Sequence, residues 1–120
     1  MPVTVKQVSN QYSRSIDLLR VILEDPDTEA AQRGQAQDAI DDLFLQLGTN
    51  AIGRIDGRSA LLAALIAELT AVRDSIQLNP VGAALDKLSA LITDSRNLYY
   101  ASKQDLIQED AVGEPLAAVG

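Results

Sequence analysis

Any chemistry performed by this 120-residue chain would depend on carboxylates, hydroxyls and a few basic side chains, because the sequence contains no His and no Cys. The missing His removes the commonest general base and transition-metal ligand. The missing Cys removes thiolate ligands, cysteine nucleophiles and disulfides. A di-iron centre in a helical bundle also needs Glu-x-x-His on two helices. The sequence therefore predicts no catalytic residues, no metal site and no cofactor, and we expect that the protein is not an enzyme.

Glu68 is the carboxylate that is placed for an unusual pKa. It borders the large apolar face of a predicted helix, and partial burial of a carboxylate raises its pKa. Such a group is a candidate proton donor, but a lone buried carboxylate is more commonly the partner of a cation. We expect Glu68 to pair with Arg96 or Arg20.

The Gly- and Arg-rich segment 52–58 is a second candidate, because it precedes a helix N-terminus, where anions can bind. It lacks the Gly-Lys-Ser/Thr ending of a phosphate-binding loop, and no strand precedes it. A turn that uses the backbone freedom of Gly53 and Gly57 explains the segment more simply than a nucleotide site does.

The net charge of −7, from seventeen acidic and ten basic residues, disfavours nucleic acids and anionic membranes as partners. No predicted helix has the basic face of a DNA-recognition helix. The longest apolar run, Ala60–Ala67, is far shorter than the about 20 residues of a membrane-spanning helix. The first residues lack the basic-then-apolar pattern of a signal peptide. We expect a cytoplasmic protein that binds neither nucleic acid nor membranes.

Four segments with a helical apolar period must position these residues, and they cover about 4–24, 26–47, 57–78 and 80–108. Short connections between amphipathic helices favour antiparallel neighbours, so we predict an all-α, antiparallel four-helix bundle. Its core is aliphatic, because only four residues are aromatic. We expect one domain over 1–110 and a flexible tail over 111–120.

Local signals mark the predicted helix ends. Asp25 is a good N-cap and Pro26 a good first helical residue, so the second helix should begin there. Gly48 should end it in the left-handed conformation. Whether 51–57 is helix or loop is left open, with Asp56 as the cap if a separate turn precedes it. The predicted core faces of the first two helices are Val5, Val8, Tyr12, Ile16, Leu19 and Leu23, and then Ala36, Ile40, Leu43, Phe44 and Leu47.

The third helix has two apolar faces. One is formed by Leu62, Leu65, Leu69, Val72 and Ile76. Nearly opposite lies what we call the small-residue seam, namely Gly57, Ala60, Ala64, Ala67 and Ala71. Two interpretations stay open: the helix is the central element of the monomer, or the seam is the interface of a homodimer, since small residues let helices approach closely.

Two further surfaces are candidates for binding a protein partner. The acidic face of the second helix consists of Asp38, Asp41, Asp42 and Leu45, and it would suit a basic target. These aspartates lack the alternating ligands around a Gly that a calcium loop needs. The stripe on the fourth helix consists of Arg96, Tyr100, Lys103 and Ile107, and Arg and Tyr are enriched at interface hot spots.

These features favour a non-enzymatic protein–protein interaction module. We expect a small acidic adaptor or inhibitor, of the chaperone, immunity or phage type, that acts as a homodimer and binds an unidentified protein partner. The alternative is a structural subunit of a larger homo-oligomeric assembly.

Overall fold

The first helix follows directly from its capping signals. In the computed structural model, which describes residues 2–77 and 83–119 and the side chains of 2–77 and 83–108, α1 spans Val5–Glu24. Thr4 caps it: the Thr4 Oγ1 accepts from the Gln7 N–H at 3.1 Å, while the Thr4 N–H donates to Gln7 Oε1 at 2.8 Å. This reciprocal pair gives hydrogen-bond acceptors to the backbone N–H groups of Thr4 and Gln7, which have no acceptor within the helix.

The second helix, α2, spans Ala30–Leu47, so the predicted start at Pro26 is wrong. The Asp25 carboxylate accepts from the Asp27 N–H at 2.8 Å, which closes a turn instead of capping a helix. The Glu29 N–H donates to Gln32 Oε1 at 3.1 Å at the true start. The helix ends at Gly48, whose φ of −72° and ψ of −8° are right-handed, so the predicted left-handed ending is also wrong.

Residues 51–57 divide between a 3₁₀ turn at Ala51–Gly53 and the first turn of α3, which spans Ile55–Ile76. The capping residue is Arg54, not Asp56. Gly57 is buried against the 3₁₀ turn, and a Cβ there would overlap the Ala51 carbonyl. The predicted end of the third helix at residue 78 lies outside the described residues.

The fourth helix, α4, spans Ala84–Val119. Its predicted start near residue 80 lies outside the described residues, and its backbone continues beyond the predicted end near 108. At 36 residues it is about 54 Å long at the usual rise of 1.5 Å per residue. The division at residue 110 and the flexibility of 111–120 stay predictions.

Hydrogen bonds between helices fix the antiparallel order. The Gln11 amide of α1 donates to the Ser95 hydroxyl of α4 at 2.9 Å, and the Val3 N–H donates to Asp105 Oδ2 at 2.8 Å. The Gln32 amide of α2 donates to the Ser75 carbonyl of α3 at 3.2 Å. Helix α3 packs between α2 and α4, with α1 across the core. The described residues confirm an all-α four-helix bundle.

The core is aliphatic, as predicted, with one buried aromatic ring, that of Tyr12. The described core faces of α1 and α2 largely follow the predicted spacing, but Val5 is 43% exposed and Phe44 is 49% exposed, so both were assigned wrongly to the core. All five predicted core residues of α3 are buried. Within the described residues, no helix combines the length and apolar character needed to cross a membrane.

Candidate protein-interaction site

The small-residue seam lies on the solvent side of α3. Ala60, Ala67 and Ala71 are exposed and Ala64 is half-buried, while the leucine face of the same helix fills the core. Gly57 is the exception, because it is buried against the 3₁₀ turn and offers no surface to a partner. The exposed alanines therefore do not pack inside the monomer, which removes the first of the two interpretations for this part of the seam.

A groove between α3 and α4 borders the seam on one side. It encloses about 230 Å³ and is lined by Ala63, Ile66, Arg96, Tyr99 and Tyr100. The Tyr99 and Tyr100 rings meet edge to face, with centroids 5.9 Å apart. Of the lining residues, the sequence analysis placed Arg96 and Tyr100 on a surface and did not single out Ala63 or Ile66.

The predicted stripe on α4 is exposed along its length. Tyr100 is 64% exposed, and Arg96, Lys103 and Ile107 are also on the surface. The Lys103 ammonium lies 5.5 Å from the centroid of the Tyr99 ring, a cation–π contact. Neither Arg96 nor Lys103 forms an ion pair with any residue that the structure describes, so both charges are available to a partner.

The acidic face of α2 divides between two sides of the helix. Asp42 hydrogen-bonds Glu68 of α3, and the charge of Asp38 also acts on Glu68, so this pair lies toward α3. Asp41 lies about 100° around the helix from Asp42, and its carboxylate accepts from the Gln37 amide at 2.9 Å. Asp41, Phe44 and Leu45 line a shallow depression together with Gly48 and Thr49.

The patch around Leu45 is the most apolar part of this face. Leu45 is 73% exposed, and the Arg20 guanidinium lies 5.7 Å from the centroid of the neighbouring Phe44 ring. An exposed leucine and phenylalanine beside a carboxylate make a small surface with both apolar and acidic character. The sequence analysis found Leu45 and Asp41 but assigned Phe44 to the core, because its spacing fits either face.

Glu68 lies between α3 and α2 with carboxylates, and not cations, as its neighbours. Partial burial, together with the hydrogen bond that the protonated Glu68 carboxyl donates to Asp42 and the charges of Asp42 and Asp38, raises the pKa of Glu68 to about 7. The predicted pKa direction is confirmed, whereas the predicted pairing with Arg96 or Arg20 is wrong. Burial, and then the charge of Glu68, raises the pKa of the Tyr12 hydroxyl, which donates to the Leu61 carbonyl at 2.6 Å.

The two arginines of the Gly- and Arg-rich segment 52–58 bind groups within the chain. The Arg58 guanidinium donates to the carbonyls of Ile52 at 2.9 Å and Val3 at 2.9 Å. Arg54 forms an ion pair with Asp56 at 3.2 Å. These contacts tie the 3₁₀ turn to α3 and to the N-terminal segment, which supports the interpretation of the segment as a turn. No group of three potential metal ligands comes together among the described residues.

The described chain is a small helical bundle, and its candidate site is the exposed surface centred on α3. The chain matches no family model, no curated protein and no solved structure.

Proposed function

We propose that this protein is a non-enzymatic interaction module, a small acidic helical-bundle adaptor or inhibitor of the chaperone, immunity or phage type, acting as a homodimer in the cytoplasm. The observation that carries the proposal is the exposure of Ala60, Ala67 and Ala71 on a helix whose other face lies in the core. An apolar face that its own bundle leaves uncovered is typical of a surface that binds another chain.

Two separate surfaces support a module that binds itself and another protein. The seam and the α3–α4 groove are contiguous and favour self-association, since exposed alanines allow close approach of a symmetry-related helix. The patch of Asp41, Phe44 and Leu45 is separate from the α3–α4 groove, since it lies at the end of α2 with Arg20 of α1 over the Phe44 ring. It stays accessible when the α3 face is covered, and its acidic character fits a basic protein partner.

The homodimer is tested by placing a charge in the seam. Ala67→Arg should convert a dimer into a monomer of 12.8 kDa, because a two-fold contact brings the two new cations together and buries them. Light scattering behind a sizing column measures the mass, and circular dichroism checks that the helices persist. Ala90→Arg is the matched control, since Ala90 is exposed and lines a depression between α1 and α4, away from the seam. A dimer that survives Ala67→Arg would contradict the proposal.

A further inference from the structure

The two sides of the seam carry opposite charge. On the α4 side lie Arg96 and Lys103, which have no ionic partner among the described residues. On the α2 side lie Asp38 and Asp42, beside Glu68. The apolar centre of the α3 face is therefore flanked by a basic edge on the α4 side and an acidic edge on the α2 side.

The opposite charges lie at nearly the same height along α3. Arg96 shares the groove with Ile66, whereas Asp42 hydrogen-bonds Glu68. Two residues of helix correspond to about 3 Å along the axis. A second molecule placed on this face without a shift along α3 therefore meets both charged edges at once.

Two symmetric arrangements bring one α3 face onto another. A two-fold axis parallel to the helices makes the two α3 helices parallel and sets the α4 edge of each copy over the α2 edge of the other. A two-fold axis across the helices makes them antiparallel and sets α4 over α4 and α2 over α2. Only the parallel arrangement pairs cations with carboxylates; the antiparallel one brings like charges together.

We propose that a second copy of this chain docks on the seam and the α3–α4 groove with the two α3 helices parallel, so that Arg96 of each copy faces Asp38 and Asp42 of the other. The inference rests on the proposed homodimer and adds its orientation and the residues that select it. In such a closed pair, the contact between a basic edge and an acidic edge occurs twice.

Two observations on the same face agree with a second copy. The groove of about 230 Å³ has room for a side chain, since a cavity of about 150 Å³ holds a benzene molecule. On the acidic edge, neighbouring carboxylates help to raise the pKa of Glu68, and an arriving cation would relieve that repulsion.

Single cysteines test the orientation directly, because the chain has no cysteine of its own. In the parallel arrangement each seam residue lies level with the same residue of the second copy, as in a parallel coiled coil. Oxidised Ala60→Cys and Ala71→Cys should therefore each form a disulfide-linked dimer with itself. A mixture of the two variants should give no disulfide between unlike chains. Ala90→Cys, exposed on the α1 side of α4, is the control that should stay uncrosslinked.

The outcomes separate this inference from the proposed homodimer. Crosslinks only between unlike chains would mean antiparallel helices, and a dimeric mass without any seam crosslink would mean another interface. Either result overturns the orientation and leaves self-association standing. A wild-type chain that stays monomeric up to hundreds of micromolar would overturn both.

A charge reversal supplies a second measurement that needs no disulfide geometry. Arg96→Glu should weaken the parallel dimer about tenfold at low salt, and adding Asp38→Arg to the same chain should restore most of the loss. Both side chains are exposed, so the fold should persist. In an antiparallel dimer Arg96→Glu would instead strengthen association by removing cation repulsion, which would overturn the proposal.

Discussion

At the scale of single residues, the carboxyl group of Glu68 has the most unusual surroundings in the described structure. It is half-buried beside the carboxylates of Asp42 and Asp38, with the Tyr12 hydroxyl also within electrostatic reach. Burial acts first and the hydrogen bond with Asp42 second, and together with the charges they raise its pKa from about 4.5 to about 7. At pH values between about 4.5 and 7 the folded monomer therefore retains a proton here that the unfolded chain releases.

This proton predicts a stability that depends on pH. Between pH 4.5 and 7 the folded state binds more protons at Glu68 than the unfolded state, so the free energy of unfolding falls as pH rises across that range. Glu68→Gln keeps a neutral side chain at every pH. The variant should match the wild type near pH 4 and exceed it by about 1 kcal/mol above pH 7, after allowance for solvent screening.

Urea unfolding of dilute protein at pH 4, 6 and 8 measures this difference. Glu24→Gln, at an exposed position at the end of α1, is the control for the loss of one negative charge. A Glu68→Gln variant whose advantage is the same at pH 4 and pH 8 would show that ionisation of Glu68 is not the cause.

At the scale of elements, individual side-chain and backbone contacts determined the helix boundaries that helical periodicity left open or predicted wrongly. The start of α1 agrees with its local pattern, and its cap is made between Thr4 and Gln7, three residues apart. The start of α2 differs from the prediction, because Asp25 has a competing backbone partner in Asp27. The ambiguity at 51–57 was resolved by the packing of Gly57 on Ala51, a contact that helical periodicity does not register.

Replacement of Gly57 in α3 by a larger residue should destabilise the protein. Gly57→Ala places a Cβ onto the Ala51 carbonyl, so it should separate the 3₁₀ turn from α3 and lower the free energy of unfolding by about 1–3 kcal/mol. Gly34→Ala is the matched control within α2, where a Cβ meets nothing within 4 Å. It should raise stability by up to about 1 kcal/mol. Thermal unfolding of the two variants checks both signs, and a neutral Gly57→Ala would contradict this account of the turn.

At the scale of the whole molecule, the sequence predicted the fold better than it predicted the site. Four segments with a helical period of apolar residues suffice to predict a bundle, because the apolar face of each helix has to pack against another helix. The acidic face illustrates the limit: periodicity placed Asp38, Asp41 and Asp42 on one face. Only the position of α3 divides them into a pair beside Glu68 and a separate patch beside Leu45. The exposure of the seam likewise depends on which corner of the bundle α3 occupies.

The size of the assembly distinguishes the proposed dimer from its alternative, a structural subunit. A two-fold contact uses the α3 face of both copies, so growth stops at two chains. The mass should stay at twice 12.8 kDa once the dimer has formed, up to hundreds of micromolar protein. If the patch of Asp41, Phe44 and Leu45 instead binds further copies, contacts continue head to tail and the mass rises with concentration. Light scattering over that concentration range, repeated with Leu45→Lys, distinguishes the closed dimer from the growing assembly. A rising mass that Leu45→Lys returns to a plateau would assign the patch to self-assembly and reject the adaptor, because the surface proposed for a different protein would then bind copies of the chain.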